Sequence, residues 1–175
     1  MSAIALPSPA FPSPALPSSD RPLPSILPRS FPSRRNVPAL LQTAAVLEYR
    51  EMEHAFRRTG GIVSVDEIVM LLGRHTDQPI SQLARSIVGH EVLSFQWRSR
   101  TVLPAFQFDP ATMAPRADVS AVTRELAPTL DDWETCLWFA RPNALLGDAR
   151  PLDAIALDAH AVREAARCAR YMLRG

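Results

Sequence analysis

The sequence predicts a mainly α-helical fold carrying one small β-hairpin, and three observations predict it. Apolar residues recur at helical spacing from Leu41 to Phe56. Two short amphipathic stretches joined by a polar turn fill 65–88. Between Val92 and Phe108 the apolar period changes to two. A chain of 175 residues suits one domain of moderate size or two very small ones. The expected division is an arm over 1–36, a long helix with a helix-turn-helix and hairpin unit over 37–109, and a helical module over 110–175.

Ten of the 17 prolines lie between Pro7 and Pro38, interleaved with Ser, Ala and Leu. Such a stretch lacks backbone donors and has few residues for a core, so it is expected to be disordered with polyproline II character. Its simplest role is a spacer, and its alternative is a ligand for a proline-reading domain.

Leu41, Ala45, Tyr49, Met52 and Phe56 share one helical face, which predicts a first helix over 37–59 closed by Gly60 and Gly61. Ser64-Val65-Asp66-Glu67 is a capping box, because the Ser hydroxyl can accept from the Glu67 amide while the Glu67 carboxylate reaches back. It opens a short helix that buries Val65, Ile68, Val69 and Leu72 and ends at Gly73. A second short helix, 79–88, starts on Pro79 and is expected to bury Ile80, Leu83, Ala84 and Ile87. The pair suggests a helix-turn-helix. Val92–Trp97 and Thr101–Leu103, joined by Arg98-Ser99-Arg100 and running on to Phe106 and Phe108, read as a β-hairpin. Pro104 cannot donate to a ladder, so the second strand should lie at an edge or end there. Helix pair plus hairpin resembles a winged helix-turn-helix.

A helix over 118–126 is stopped by Pro128, and Asp131 and Asp132 cap another over 133–139. Arg141-Pro142-Asn143 terminates it, and two helices follow, 151–157 and 159–173. Pro142 ends a helix, Asn143 can bond its own turn, Gly147 tolerates positive φ, and Pro151 starts a helix whose Leu152 and Ile155 point inward. The last helix has an apolar stripe of Val162, Ala165, Ala166, Ala169 and Met172 or Leu173. Its second stripe is Arg163, Arg167, Arg170 and Arg174, which is either a solvated face or a surface for an acidic partner.

All 19 basic residues are Arg and the formal charge is +1, so no strong nonspecific affinity for nucleic acid or anionic lipid is indicated. Nothing resembles a membrane span or a secretory signal, and the expected location is the cytoplasm. Cys136 and Cys168 lack ligand spacing and are expected to be small core residues. His54, His75, His90 and His160 are scattered, and no phosphate-cradling glycine motif occurs. The expectation is therefore a protein without metal, cofactor or catalytic residues.

The string Trp138, Pro142-Asn143, Leu146-Gly147 and Pro151-Leu152-Asp153, followed by an amphipathic helix, resembles the toxin-binding domain of Xre/MbcA/ParS-type bacterial antitoxins. Leu103-Pro104-Ala105-Phe106-Gln107-Phe108-Asp109 is similar to the strand after the helix-turn-helix in a subset of these proteins. The likeness covers roughly 61–175. In place of the usual four- or five-helix Xre domain the chain carries the proline arm. The resemblance implies a C-terminal module that covers the active-site entrance of a cognate toxin, often a RES-domain enzyme that consumes NAD. Arg163, Arg167, Arg170 and Arg174 would then touch the toxin, with Trp138, Pro142, Asn143, Leu146, Gly147, Pro151 and Leu152 as scaffold. It also implies operator DNA as a second partner, contacted through Ser81, Gln82 and Arg85 on the second short helix and Arg98 and Arg100 at the hairpin tip. Over 61–108, however, four Arg face four acidic residues, which makes the helix-turn-helix a degenerate one. The alternative function is a DNA-binding regulator whose C-terminal module mediates self-association, as in a homodimer.

Overall fold

The structure is a computed structural model that describes residues 39–174, with side chains described from Thr43 onward. The proline-rich arm, the first two residues of the expected first helix and the side chain of Leu41 lie outside the described residues. Among the described residues the fold is mainly helical, with seven α-helices and a small three-stranded antiparallel sheet.

Helix α1 spans Ala39–Phe56 and continues as a 3-10 turn, Arg57–Thr59. Met52 and Phe56 are fully buried on the predicted face, and Ala45 and Tyr49 pack beside them. Gly60 and Gly61 take φ of 99° and 77°, and the Gly61 amide donates to the Phe56 carbonyl at 2.9 Å. At Gly60 a Cβ would also stand 2.7 Å from that of Ala105, so both conformation and space require glycine.

Strand β1, Ile62–Ser64, follows directly, then β2, Phe95–Trp97, and β3, Arg100–Pro104, in the sheet order β1-β3-β2. The expected hairpin is present, but β3 is the central strand and not an edge. Pro104 is tolerated because it is the last residue of β3, opposite Ile62, and the ladder closes with the Ala105 amide on the Gly61 carbonyl at 2.9 Å. Beyond it the expected run to Phe108 is a 3-10 turn, Ala105–Gln107, with Phe108 in an isolated bridge to Pro115. Arg98 and Ser99 both have positive φ, the requirement of a two-residue hairpin turn.

Helices α2, Val65–Leu72, and α3, Pro79–Val88, stand where the sequence places them. The capping box is complete, with the Glu67 amide donating to Ser64 Oγ at 3.3 Å and the Ser64 amide to Glu67 Oε2 at 2.7 Å. Those bonds hold the Glu67 carboxyl below its usual pKa. Ile68, Leu72, Leu83 and Ile87 form a small core with Leu103, Phe108 and Met113. Ile80 is instead 37 % exposed, since it stands in the first turn of α3 outside that cluster.

Helices α4, Ala117–Leu126, α5, Asp132–Ala140, α6, Pro151–Ala154, and α7, Ala159–Arg174, complete the fold. The main core joins Met52, Phe56, Phe95 and Phe106 to Val119, Leu126, Phe139, Leu152 and Val162, drawing on both sides of Pro110. Helix α5 is tied to α1 by Trp133 Nε1 donating to Glu48 at 2.9 Å and by an Arg141–Glu51 ion pair at 2.9 Å. Cys136 is buried as expected, and burial holds its thiol pKa well above the ordinary value; Cys168 is exposed, because it lies off the packed face of α7.

The two aspartates before α5 divide their work. Asp131 is the cap, in a second capping box with Glu134, whereas Asp132 is the first helical residue and accepts from the Ser94 amide at 2.9 Å. Burial raises the Asp132 pKa, and the Ser94 bond opposes the shift. A raised folded value means the folded state binds this proton more tightly than the unfolded chain. That contribution is complete below the ordinary value of 3.8 and is lost as pH rises through the raised one. Asp132→Asn keeps an acceptor for Ser94 without the buried charge, so it is expected to remove this loss. Urea denaturation of both proteins between about pH 4 and pH 7 should show a stability gap in favour of the variant that opens with rising pH.

Candidate protein-docking surface

The turn between α5 and α6 is held by more hydrogen bonds than its length requires. Asn143 Oδ1 accepts from the Leu145 amide at 2.9 Å, while the Asn143 carbonyl accepts from Leu146 at 2.9 Å and Asp148 at 3.0 Å. The Asn143 amide donates to Ala149 at 3.1 Å. Gly147 and Asp148 both take left-handed φ, 62° and 61°, which brings the chain back toward α6. Pro151 begins α6 and is buried with Leu152 and Ile155, while Pro142 is exposed. Trp138 is half-buried, edge-on to Phe139 with ring centroids 5.3 Å apart.

This frame presents leucines to water. Leu146 packs toward the core, but Leu145 is 57 % exposed and Leu157 is 90 % exposed. Leu157 precedes Asp158, whose Oδ1 caps α7 by accepting from the Ala161 amide at 2.9 Å. A residue in that place ordinarily folds back as a hydrophobic staple, here toward Val162. It does not. Leu145, Leu146, Ala154, Leu157 and Ala161 line an open groove of about 340 Å³, with Asp153 and Asp158 as its charged lining residues. The sequence reading missed Leu145 and Leu157, although the adjacent leucines before Gly147 and the unstapled capping position were visible in it.

The four arginines of α7 are placed differently from one another. Arg170 pairs with Glu125 of α4 at 3.0 Å, and Arg167 lies 3.7 Å from Glu125 and 2.7 Å from Glu164. Arg163 and Arg174 are exposed and have no ion pair among the described residues. Of the apolar stripe, Val162, Ala165 and Ala166 are buried and Ala169 is partly so, but Met172 and Leu173 are 68 % and 58 % exposed.

The residues marked for DNA contact occupy two places. Ser81 and Arg85 are exposed on α3, with Gln82 half-buried. Arg98 and Arg100 are exposed at the β2–β3 turn, where they border a second open groove of about 590 Å³ with Tyr49, Trp97, Glu53 and Glu67. Tyr49 and Trp97 stack with centroids 4.0 Å apart, and the Arg98 guanidinium lies 5.8 Å from the Trp97 ring centroid. The described residues contain no cluster of three or more His, Cys, Asp or Glu arranged to hold a metal, and no helix long and apolar enough to cross a membrane.

Asn143→Ala is expected to lower stability by about 0.5–2 kcal/mol by removing the cap of this turn. Thermal denaturation measures it, and an unchanged midpoint would show that the turn does not depend on the side chain. Comparison with protein-family models, curated proteins and solved structures finds no match for the chain.

Proposed function

We propose that this chain is an antitoxin-like protein whose C-terminal module docks on a cognate toxin and inhibits it by occlusion. The observation that carries the reading is the exposed pair of Leu145, on the turn fixed by Asn143 and Gly147, and Leu157, on the turn between α6 and α7, which line one groove. A rigid frame that holds large apolar side chains in water is characteristic of a protein-docking surface. The partner would offer an apolar side chain to the groove, whose charged lining residues are Asp153 and Asp158. The likeness of the Trp138 to Asp153 string to Xre/MbcA/ParS antitoxins supports a toxin as that partner, with a NAD-consuming RES-domain enzyme as the first to try. Such a chain acts by excluding substrate and does no chemistry itself.

The experiment is co-expression with the product of the neighbouring reading frame, followed by capture. Leu157→Asp should weaken capture about thirtyfold or more, from a loss of about 2 kcal/mol at the contact. Capture at full affinity by this variant would remove the groove from the proposal.

A second reading, a DNA-binding regulator built on a winged helix-turn-helix, is favoured by the outward placement of Ser81 and Arg85 on α3 and of Arg98 and Arg100 at the hairpin turn. Binding to its own promoter that falls steeply with salt and exceeds binding to unrelated DNA would support it. A flat salt response would exclude it.

A further inference from the structure

The groove between α1 and the sheet is a separate surface from the one beside Leu157. Ile62, Val102, Tyr49 and Trp97 are its apolar lining. Trp133, Trp97 and Tyr49 form a row of rings, with centroids 5.8 Å and then 4.0 Å apart. Trp133 closes the inner end of that row and is buried, whereas Tyr49 ends it half-buried at the groove. Helix α1 and the hairpin bring opposite charges. Arg141 holds Glu48 and Glu51, but Glu53 is exposed and has no ion pair among the described residues, and Arg98 and Arg100 are exposed across from it. Burial raises the Tyr49 pKa, Glu53 adds to the rise and Arg98 opposes it, so the two charges flank this ring. Ala39, where the described helix begins, lies about 15 Å of axial rise before Tyr49 and about 21 Å before Glu53. About seven residues of polyproline II cover that span, and the chain has 38 before Ala39.

We infer that the chain's own proline-rich arm occupies this groove through Asp20-Arg21-Pro22-Leu23-Pro24. Asp20 is the one acid before Ala39, and it stands next to an arginine, which matches a groove with a carboxylate on one side and guanidinium groups on the other. Polyproline II repeats every three residues, so Arg21 and Pro24 make one ridge, Asp20 and Leu23 a second, and Pro22 and Ser25 a third. The first ridge sets Arg21 on Glu53 and Pro24 on Tyr49. The second sets Asp20 on Arg98 and Leu23 against Ile62 and Val102, and the third faces water. This order runs the arm from Glu53 past Tyr49 toward Ala39, the direction in which its remaining residues return to α1. A proline strand has little backbone freedom to lose on entering an aromatic groove, and the tether holds it there at about millimolar effective concentration. The inference is independent of the toxin, which takes the other groove. A DNA contact at the β2–β3 turn would have to displace the arm from Arg98.

The test uses the full chain without any toxin, carrying Cys168→Ser and Ser25→Cys. A nitroxide then reacts at position 25 alone, since Cys136 is buried, and sits on the ridge that faces water. It should remove the amide resonances of Glu53, Ser64 and Arg100 from the spectrum and leave those of Leu145 and Leu157. Leu23→Asp should restore the lost signals, and so should Glu53→Arg, at an exposed position where helical circular dichroism should not change. Adding Arg21→Glu to Glu53→Arg should remove them again, while Pro22→Ala, on the outward ridge, should leave the pattern of the parent. Groove signals that survive labelling, or a loss that persists in both Leu23→Asp and Glu53→Arg, overturns the inference. Signals lost from an isotope-enriched chain without the nitroxide, mixed with a nitroxide-bearing chain without isotope, would put the arm of a second copy in the groove and also overturn it.

Discussion

Gln107→Ala is expected to destabilise the protein by about 3–5 kcal/mol, among the largest effects available to a single polar substitution in this chain. Gln107 is fully buried, and its amide is a local substitute for a strand. Oε1 accepts from the Leu93 amide at 2.7 Å, and Nε2 donates to the Leu93 carbonyl at 2.9 Å. The segment leading into β2 has no ladder partner at Leu93, so a side chain from the 3-10 turn provides both bonds. Truncation leaves a buried donor and a buried acceptor unsatisfied, at about 1–3 kcal/mol each, and opens a cavity beside Leu93. Urea denaturation measures the change. A loss under about 1 kcal/mol would mean that water enters and replaces the amide. Gln107→Glu separates shape from chemistry, because its neutral acid keeps an acceptor and a single O–H donor whereas its carboxylate keeps no donor. It should fall between wild type and Gln107→Ala at acidic pH and lose more as its buried carboxyl is forced to ionise.

Phe139→Ala should cost a similar amount, about 3–5 kcal/mol. The ring is fully buried and packs on Phe106 with centroids 5.0 Å apart and on Trp138 at 5.3 Å, and Phe106 in turn meets Phe56 at 5.1 Å. This aromatic row joins α1, the turn after β3 and α5, so the cavity would lie where three parts of the chain converge. Phe139→Leu keeps most of the volume and should lose about 1.5 kcal/mol or less. The pair also bears on function, because α5 leads directly into the Asn143 turn. Phe139→Leu should retain partner capture while Phe139→Ala loses it together with its thermal transition. Capture by a cooperatively folded Phe139→Ala protein would show that the docking turn holds its shape without the core beneath it.

Much of the candidate site was legible as shape and little of it as surface. Asn143, Gly147 and Pro151 do in the structure what their residue types indicate: a side-chain cap, a left-handed backbone and a helix start. Whether Leu145 and Leu157 would be covered could not be read from them, because coverage depends on what packs above. The arginine stripe illustrates the converse. Its four members look equivalent at helical spacing, yet Glu125 of α4 engages Arg167 and Arg170 and leaves Arg163 and Arg174 to solvent. A stripe whose middle is occupied within the chain is a narrower contact than the spacing implied.

By itself the sequence determined where helices begin and, except for α6, which closes at Ala154 and not at 157 because the chain turns there toward α7, where they end. Capping boxes at Ser64 and Asp131 act through bonds three residues long, prolines at 79 and 151 through a fixed φ, and Gly147 through a positive one, so their effect is complete in a short window. Tertiary structure alone decided that Ile62–Ser64 is a strand, that β3 is central, that Gln107 turns inward, and that Asp132 serves Ser94 while Asp131 caps. Each of these depends on a partner many positions away, 38 in the case of Ser94 and Asp132, and only the assembled core brings such groups together.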